Sequence, residues 1–214
     1  MQFCIQFQLE YYSMNFLALD FETSFAQHAC SIGVVVVKDS KIIDKAHWYI
    51  KPNLDYFHPI NISVHGITPN MVRKAPRFNE LWLDQLGSYF EDSNFVFAHN
   101  VGFDIGVLKF NLDTYGLNYP KLLYSCTVKI ARKQWSDLEN HKLNTLAYHF
   151  GIQLKHHDAL ADAEMCANVA LKAAKEVGAK SAFQLAMELG VKTEILGVNP
   201  IFVKKMRAVR AKKQ

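Results

Sequence analysis

Residues 15–23 read Asn-Phe-Leu-Ala-Leu-Asp-Phe-Glu-Thr, an apolar run that ends in two carboxylates, Asp20 and Glu22. Residues two apart on an extended strand share a face, so both acids point the same way. Like charges at that spacing repel and raise each other's pKa, and a divalent cation between them removes the conflict. Hard oxygen ligands suit Mg²⁺ or Mn²⁺ better than zinc. Taken alone, the segment also fits a strand that simply ends in solvated acids.

Two further segments carry chemistry-bearing groups. Asp104 follows Ala98-His99-Asn100-Val101-Gly102-Phe103 and falls in the first turn of an expected helix. There an acid complements the helix dipole, and His99 and Asn100 read equally well as capping or core-satisfied groups. The third segment, His156-His157-Asp158-Ala159-Leu160-Ala161-Asp162-Ala163, opens an alanine-rich stretch that reaches Ala174. Asp158 is a natural N-cap, which puts His157 just outside the helix and Asp162 about one turn inside. An imidazole near a carboxylate on a rigid helix suits a general base beside a metal ligand.

The elements that must position these groups follow from hydrophobic periodicity. Phe16–Phe21, Ser31–Val37 and Ile42–Ile50 are apolar or alternating, and Lys38-Asp39-Ser40-Lys41 reads as a hairpin turn. Three consecutive antiparallel strands result. Pro52, Pro59, Gly66 and Pro69 predict an interrupted loop. Phe78–Phe90 has helical spacing, with Leu81, Trp82, Gln85, Leu86 and Tyr89 as its buried stripe. Phe95–Ala98 is a short strand, Val101–Tyr115 a helix closed by Gly116, and Lys121–Tyr124 a last strand. Helices follow at Val128–Gln134, Leu143–Phe150 and Ala159–Glu176, with Gly151 and Gly178 as stops, and residues 179–190 form a short amphipathic helix. The pattern is α/β, a mixed sheet covered by helices.

Domain organisation is simple. A core is expected over residues 14–177, an N-terminal extension over 1–13 outside the ordered fold, and a short helix with a basic tail over 178–214. The net charge of +4 is concentrated in that tail, where Lys204, Lys205, Arg207, Arg210, Lys212 and Lys213 leave 18 basic against 20 acidic residues in the body. Such a body does not resemble a protein that coats duplex DNA through one broad basic face. No apolar run approaches the roughly 18 residues a membrane span needs, and residues 1–13 lack the features of a secretion signal. Cys4, Cys30, Cys126 and Cys166 are scattered without a CxxC pair, which fits reduced thiols in a cytoplasmic protein.

Together, Asp20-Phe21-Glu22-Thr23, the His99–Asp104 segment, and His157 with Asp162 five residues later resemble the DEDDh exonuclease superfamily. That superfamily includes the epsilon proofreading subunit of bacterial DNA polymerase III, ribonuclease T and oligoribonuclease. Val64-His65-Gly66-Ile67-Thr68, Cys126-Thr127 through Ala131-Arg132, and His141–Leu146 agree with it, and the closest likeness is to the stand-alone epsilon-like branch. The resemblance implies a ribonuclease-H-like fold and a 3′→5′ exonuclease with two Mg²⁺ or Mn²⁺ ions. It implies that Asp20 bridges both ions, Glu22 and Asp162 complete the first set, Asp104 holds the second, and His157 is the general base. Phe21, Phe103, Thr23 and His65 occupy positions that touch substrate in relatives, with core packing an equal alternative for the two phenylalanines. Cys126 stands where many relatives have aspartate, and Ser24-Phe25 replaces a common Thr-Gly.

The expected substrate is a single-stranded DNA 3′ end, in proofreading or repair. An RNA-trimming enzyme of the ribonuclease T or oligoribonuclease kind is the rival, and a binding module that keeps the fold without activity is a second. Coupling to a polymerase or sliding clamp would come through a separate chain. Gln184–Leu189 faintly resembles a clamp-binding peptide, although its periodicity favours a docked helix.

Overall fold

The computed structural model describes residues 14–197, so the extension at 1–13 and the basic tail lie outside the described residues. Six strands form one sheet in the order β3-β2-β1-β4-β5-β6. β1 (Phe16–Phe25), β2 (His28–Lys38) and β3 (Lys41–Tyr49) are antiparallel neighbours, as the three apolar segments predict. Asp39 and Ser40 both have positive φ, the geometry of a two-residue hairpin turn whose twist matches its strands. β4 (Phe95–Ala98) lies parallel to β1, and β5 (Leu122–Cys126) lies parallel to β4.

Two regions differ from the expected outline. The proline-rich loop folds into α1 (Pro59–His65) and α2 (Pro69–Val72). Proline at the first helical position has no N–H to leave unpaired and a φ already suited to the helix, so these prolines start helices instead of preventing them. Beyond the expected boundary at Gly178, α9 (Ala182–Glu188) and β6 (Glu194–Leu196) belong to the same body, and β6 pairs with β5 as the sixth strand. Leu185 and Ala186 of α9 are buried, so Gln184–Leu189 is a packed helix rather than a free peptide.

The Phe78–Phe90 segment is helical, but not as one regular helix. α3 (Phe78–Leu81) passes through a π-helical turn (Trp82–Leu86) into α4 (Gly87–Glu91). The wider turn shifts the phase of everything after it. Phe90 is buried in place of the expected Tyr89, and Gln85 is exposed, accepting a hydrogen bond from Trp48 Nε1 at 3.1 Å.

Alternation along β1 divides the core. Leu17, Leu19 and Phe21 pack beneath α5 (Val101–Tyr115), whose Ile105, Leu108 and Leu112 are buried there. Phe16 and Ala18 face the other side, under α8 (Ala159–Val177), so Asp20 and Glu22 continue that second face. α6 (Thr127–Gln134) and α7 (Leu143–Phe150) brace α8 from outside. The buried stripe of α8 is Ala163, Ala167, Ala170, Ala173 and Ala174, a surface thin enough to lie flat on the strands. Contact is closest at Gly33, the β2 partner of Asp20, where a Cβ would strike the Ala159 carbonyl at the start of α8.

Gly33→Ala therefore has to push the first turn of α8 off the sheet. Overpacking against backbone should cost about 3 kcal/mol. Urea denaturation should show a lower midpoint with an unchanged m-value, and a shift within error of zero would contradict the close approach.

Candidate active site

The second half of β1, the first turn of α5 and the first turn of α8 converge. One carboxylate oxygen each from Asp20, Glu22 and Asp162 lies within 4.8 Å of the others. Asp104, buried in α5, reaches the same part of the strand: its Oδ1 accepts the Phe21 N–H at 3.0 Å. Glu22 and Asp20 are half-buried, while Asp104 and Asp162 are 1% and 3% exposed, so two of the four acids have almost no contact with bulk water.

Burial, with like charge beside it, raises three of these acids, Asp20, Glu22 and Asp104. Burial raises Asp20 well above the usual carboxylate range, and Asp104, Asp162 and Glu22 raise it further. Burial, then Asp162 and Asp104, push Glu22 up to about 8. Burial lifts Asp104 to about 7 even though the Phe21 amide and its own amide stabilise its charge. The charges acting most strongly on Asp20 and Glu22 are other carboxylates rather than lysine or arginine. A cluster of hard oxygens with no cationic side chain among the groups that shift Asp20 and Glu22 could hold a divalent cation.

The histidine segment is built around Asp162. Asp158 caps α8 by accepting the Ala161 N–H at 3.2 Å, as the sequence predicts, and His157 lies one residue outside the helix. His157 has φ +66°, an unfavourable conformation for its side chain that costs of order 1 kcal/mol. Its N–H donates to Asp162 Oδ2 at 2.9 Å, which ties the loop to the helix. Ring nitrogens of His156 and His157 and a carboxylate oxygen of Asp162 fall within 4.8 Å of one another. His156, whose spacing to Asp162 does not match the family motif, also reaches this acid. Its Nδ1 donates to both Asp162 oxygens at 2.9 Å, and its ring stacks on His157 with centroids 3.9 Å apart. No periodicity or spacing signals a contact made by a loop side chain. His157 is pulled below the usual histidine range by burial and by His156, against Asp162.

The expected substrate contacts divide. Phe103 is 44% exposed at the start of α5. Phe21 is buried in the core, because its position on β1 faces α5, and this corrects the contact reading in favour of packing. Thr23 is 5% exposed. His65 uses both ring nitrogens on the protein: Nε2 donates to the Thr23 carbonyl at 3.1 Å and Nδ1 accepts the Ile67 N–H at 2.9 Å. Thr23 and His65 thus form a strut that fixes the strand end beyond Glu22. His99 has the bland role foreseen for it. Its Nδ1 accepts from Thr127 at 3.0 Å, its Nε2 donates to the His141 carbonyl at 2.9 Å, and burial lowers it to about 4.

Residues 17–170 match the family model RNase_T, described as Exonuclease. The chain belongs to that exonuclease family. It is 30% identical over 179 residues to the PolC-type DNA polymerase III of Caldanaerobacter subterraneus subsp. tengcongensis, an alignment covering 80% of this chain and 12% of that protein. It is 33% identical over 165 residues to the PolC-type enzyme of Clostridium perfringens, covering 75% of this chain and 11% of the relative. The chain thus spans about a tenth of the length of these relatives. The fold is shared with Exonuclease X in complex with 5′ overhanging duplex DNA, at TM-score 0.65 and 24% identity, over 81% of this chain and 99% of that one. It is also shared with the nuclease domain of 3′hExo, a DEDDh family member bound to rAMP, at TM-score 0.66 and 18% identity, over 79% and 95%. The architecture is the ribonuclease-H-like one of DEDDh 3′→5′ exonucleases.

The raised carboxylates make the metal-free protein sensitive to pH. Unfolded acids ionise near pH 4, whereas Asp104 and Glu22 in the fold ionise near 7 and 8. Between those values the folded state binds more protons, so stability is present at low pH and lost as pH rises through about 7 to 8. Thermal melts with a chelator should show a lower Tm at pH 8.5 than at pH 5.5, and millimolar Mg²⁺ should raise Tm more at the higher pH. A Mg²⁺ effect equal at both would contradict this.

Proposed function

We propose that this domain hydrolyses single-stranded DNA from the 3′ end, releasing nucleoside 5′-monophosphates, with two Mg²⁺ or Mn²⁺ ions held by the four carboxylates. The observation that carries the reading is Asp162, whose carboxylate lies both within 4.8 Å of Asp20 and Glu22 and within 4.8 Å of the two histidines. One acid joins a cation site to a base.

In this assignment Asp20, Glu22 and Asp162 hold one ion, and Asp104 with Asp20 holds the other. When bound, such ions supply Lewis acidity to the phosphoryl oxygens and lower the pKa of coordinated water. The chain's own groups do the rest. The Thr23–His65 strut and the Phe21 amide to Asp104 bond hold the carboxylates in fixed positions, so no reorganisation is needed during reaction. The His157 imidazole accepts a proton from the attacking water; a new P–O bond forms as the bond to the 3′-oxygen breaks, and that oxygen takes a proton from solvent. Phe103, exposed at the first turn of α5, offers a ring face to a base at the strand end.

DNA is favoured because the relatives sharing 30% identity or more over most of the chain are DNA polymerases. Work alongside a polymerase, in proofreading or repair, follows from the same likeness, with the partner on another polypeptide or another part of the same one. A cytoplasmic setting fits Cys30, Cys126 and Cys166, which are free thiols buried in the core. Among the described residues no helix is long and apolar enough to cross a membrane.

The test is a Mg²⁺-dependent digest of matched DNA and RNA oligonucleotides labelled at either end. Loss of 3′ label first, faster on DNA and abolished by chelator, is expected. Asp20→Asn should lower kcat at least 10³-fold, and His157→Gln about 10²–10⁴-fold. Faster RNA turnover would make the enzyme an RNA trimmer, and an unchanged rate for both variants would leave only a binding module.

A further inference from the structure

Past Glu22, β1 runs on for three residues to Phe25, and register shifts at Glu22/Thr23 and Thr23/Phe25 re-aim the side chains there. Phe25 is turned outward, 40% exposed, at most about 10 Å along the strand from Glu22. Tyr56, 45% exposed, meets it edge to face with centroids 5.2 Å apart. The ring of His58 lies nearly parallel to Phe25 at 6.2 Å.

These rings are held in place by backbone. The His58 N–H donates to the Ser24 carbonyl at 2.8 Å, tying the loop before α1 to the strand end, and the Ser24 side chain is fully buried. His58 then caps α1, its Nδ1 accepting the Ile60 N–H at 3.2 Å. Phe25, paired with His28 across the sheet, and His58 are thus fixed by backbone, and Tyr56 meets both by ring contact.

We infer that Phe25 and Tyr56 form a stacking platform for unpaired bases upstream of the nucleotide being cut. The inference rests on the exonuclease reading and adds to it the contact that selects a single strand. Flat exposed rings attract flat partners with apolar faces, and every base has such a face, so the platform is indifferent to sequence. In a duplex, base faces are hidden by their neighbours; only an unpaired strand can lay them on Phe25 and Tyr56. The position, continuous with the strand that carries Asp20 and Glu22, suits the second or third nucleotide from the end better than the terminal one.

The probe is a single-stranded DNA 10-mer with 2-aminopurine at the second and third positions from its 3′ end, mixed with the full chain in EDTA so that no cutting intervenes. Phe25→Ala and Tyr56→Ala should each weaken binding about five- to a hundredfold and reduce the quenching of 2-aminopurine. Phe25→Trp and Tyr56→Phe should retain both, which separates stacking from damage to the fold. On an oligonucleotide abasic at those two positions, the alanine variants should bind as the unmodified protein does. Affinities within twofold of the unmodified protein, or an equal loss on the abasic strand, would overturn the platform, the second result pointing to a structural or protein-docking role. Cutting is scored separately with Mg²⁺. A protein that cuts while ignoring both rings keeps the exonuclease reading and loses the platform; one that stacks bases without cutting does the reverse.

Discussion

Four carboxylates forced into one small volume set the terms for the rest of this molecule. Asp20, Glu22, Asp104 and Asp162 repel one another in an environment that disfavours their charge, and burial and mutual repulsion drive Asp20 and Glu22 upward. The fold bears this because its elements meet there for other reasons. β1 is central to the sheet and packed on both faces. The alanine face of α8 and the bare backbone at Gly33 allow the helix to come close enough for Asp162 to join the strand acids. Asp104 is anchored by the Phe21 amide. Apolar burial of the surrounding strands and helices offsets the electrostatic cost, and a bound cation would remove it.

Division of labour among the histidines follows from where each is held. His99 is half-buried, held by two hydrogen bonds and kept neutral, and His65 braces β1 beyond Glu22 through the Thr23 carbonyl. His156 and His157 sit on the exposed loop before α8, stacked on each other and gathered around Asp162. The loop pair faces both solvent and Asp162, which is where proton transfer to water would need an imidazole.

Much of this was legible in the sequence, for identifiable reasons. Asp20 and Glu22 follow an apolar strand whose alternation shows their common face, and Asp158 with the alanine run marks the start of α8 and the depth of Asp162. Regular helices with glycine stops, such as α5 ending at Gly116 and α7 ending at Gly151, were readable because both periodicity and terminator are local. What escaped depends on context that spacing does not carry. Pro59 and Pro69 read as breaks because a helix-starting proline and a loop proline look alike without the following turn. The π-helical turn at Trp82–Leu86 changes the phase of a stripe that assumes a constant 3.6-residue period. β6 is three residues long and exists through its pairing with β5. The choice between core and substrate for Phe21, and the grip of His156 on Asp162, are decided by tertiary packing alone.

The most direct test of the carboxylate cluster is anomalous diffraction from crystals of this chain grown in Mn²⁺. One Mn²⁺ is expected among Asp20, Glu22 and Asp162 and a second between Asp20 and Asp104, with loss of the first peak in Asp162→Asn. Crystals saturated with Mn²⁺ that show no anomalous density beside these four side chains would contradict it.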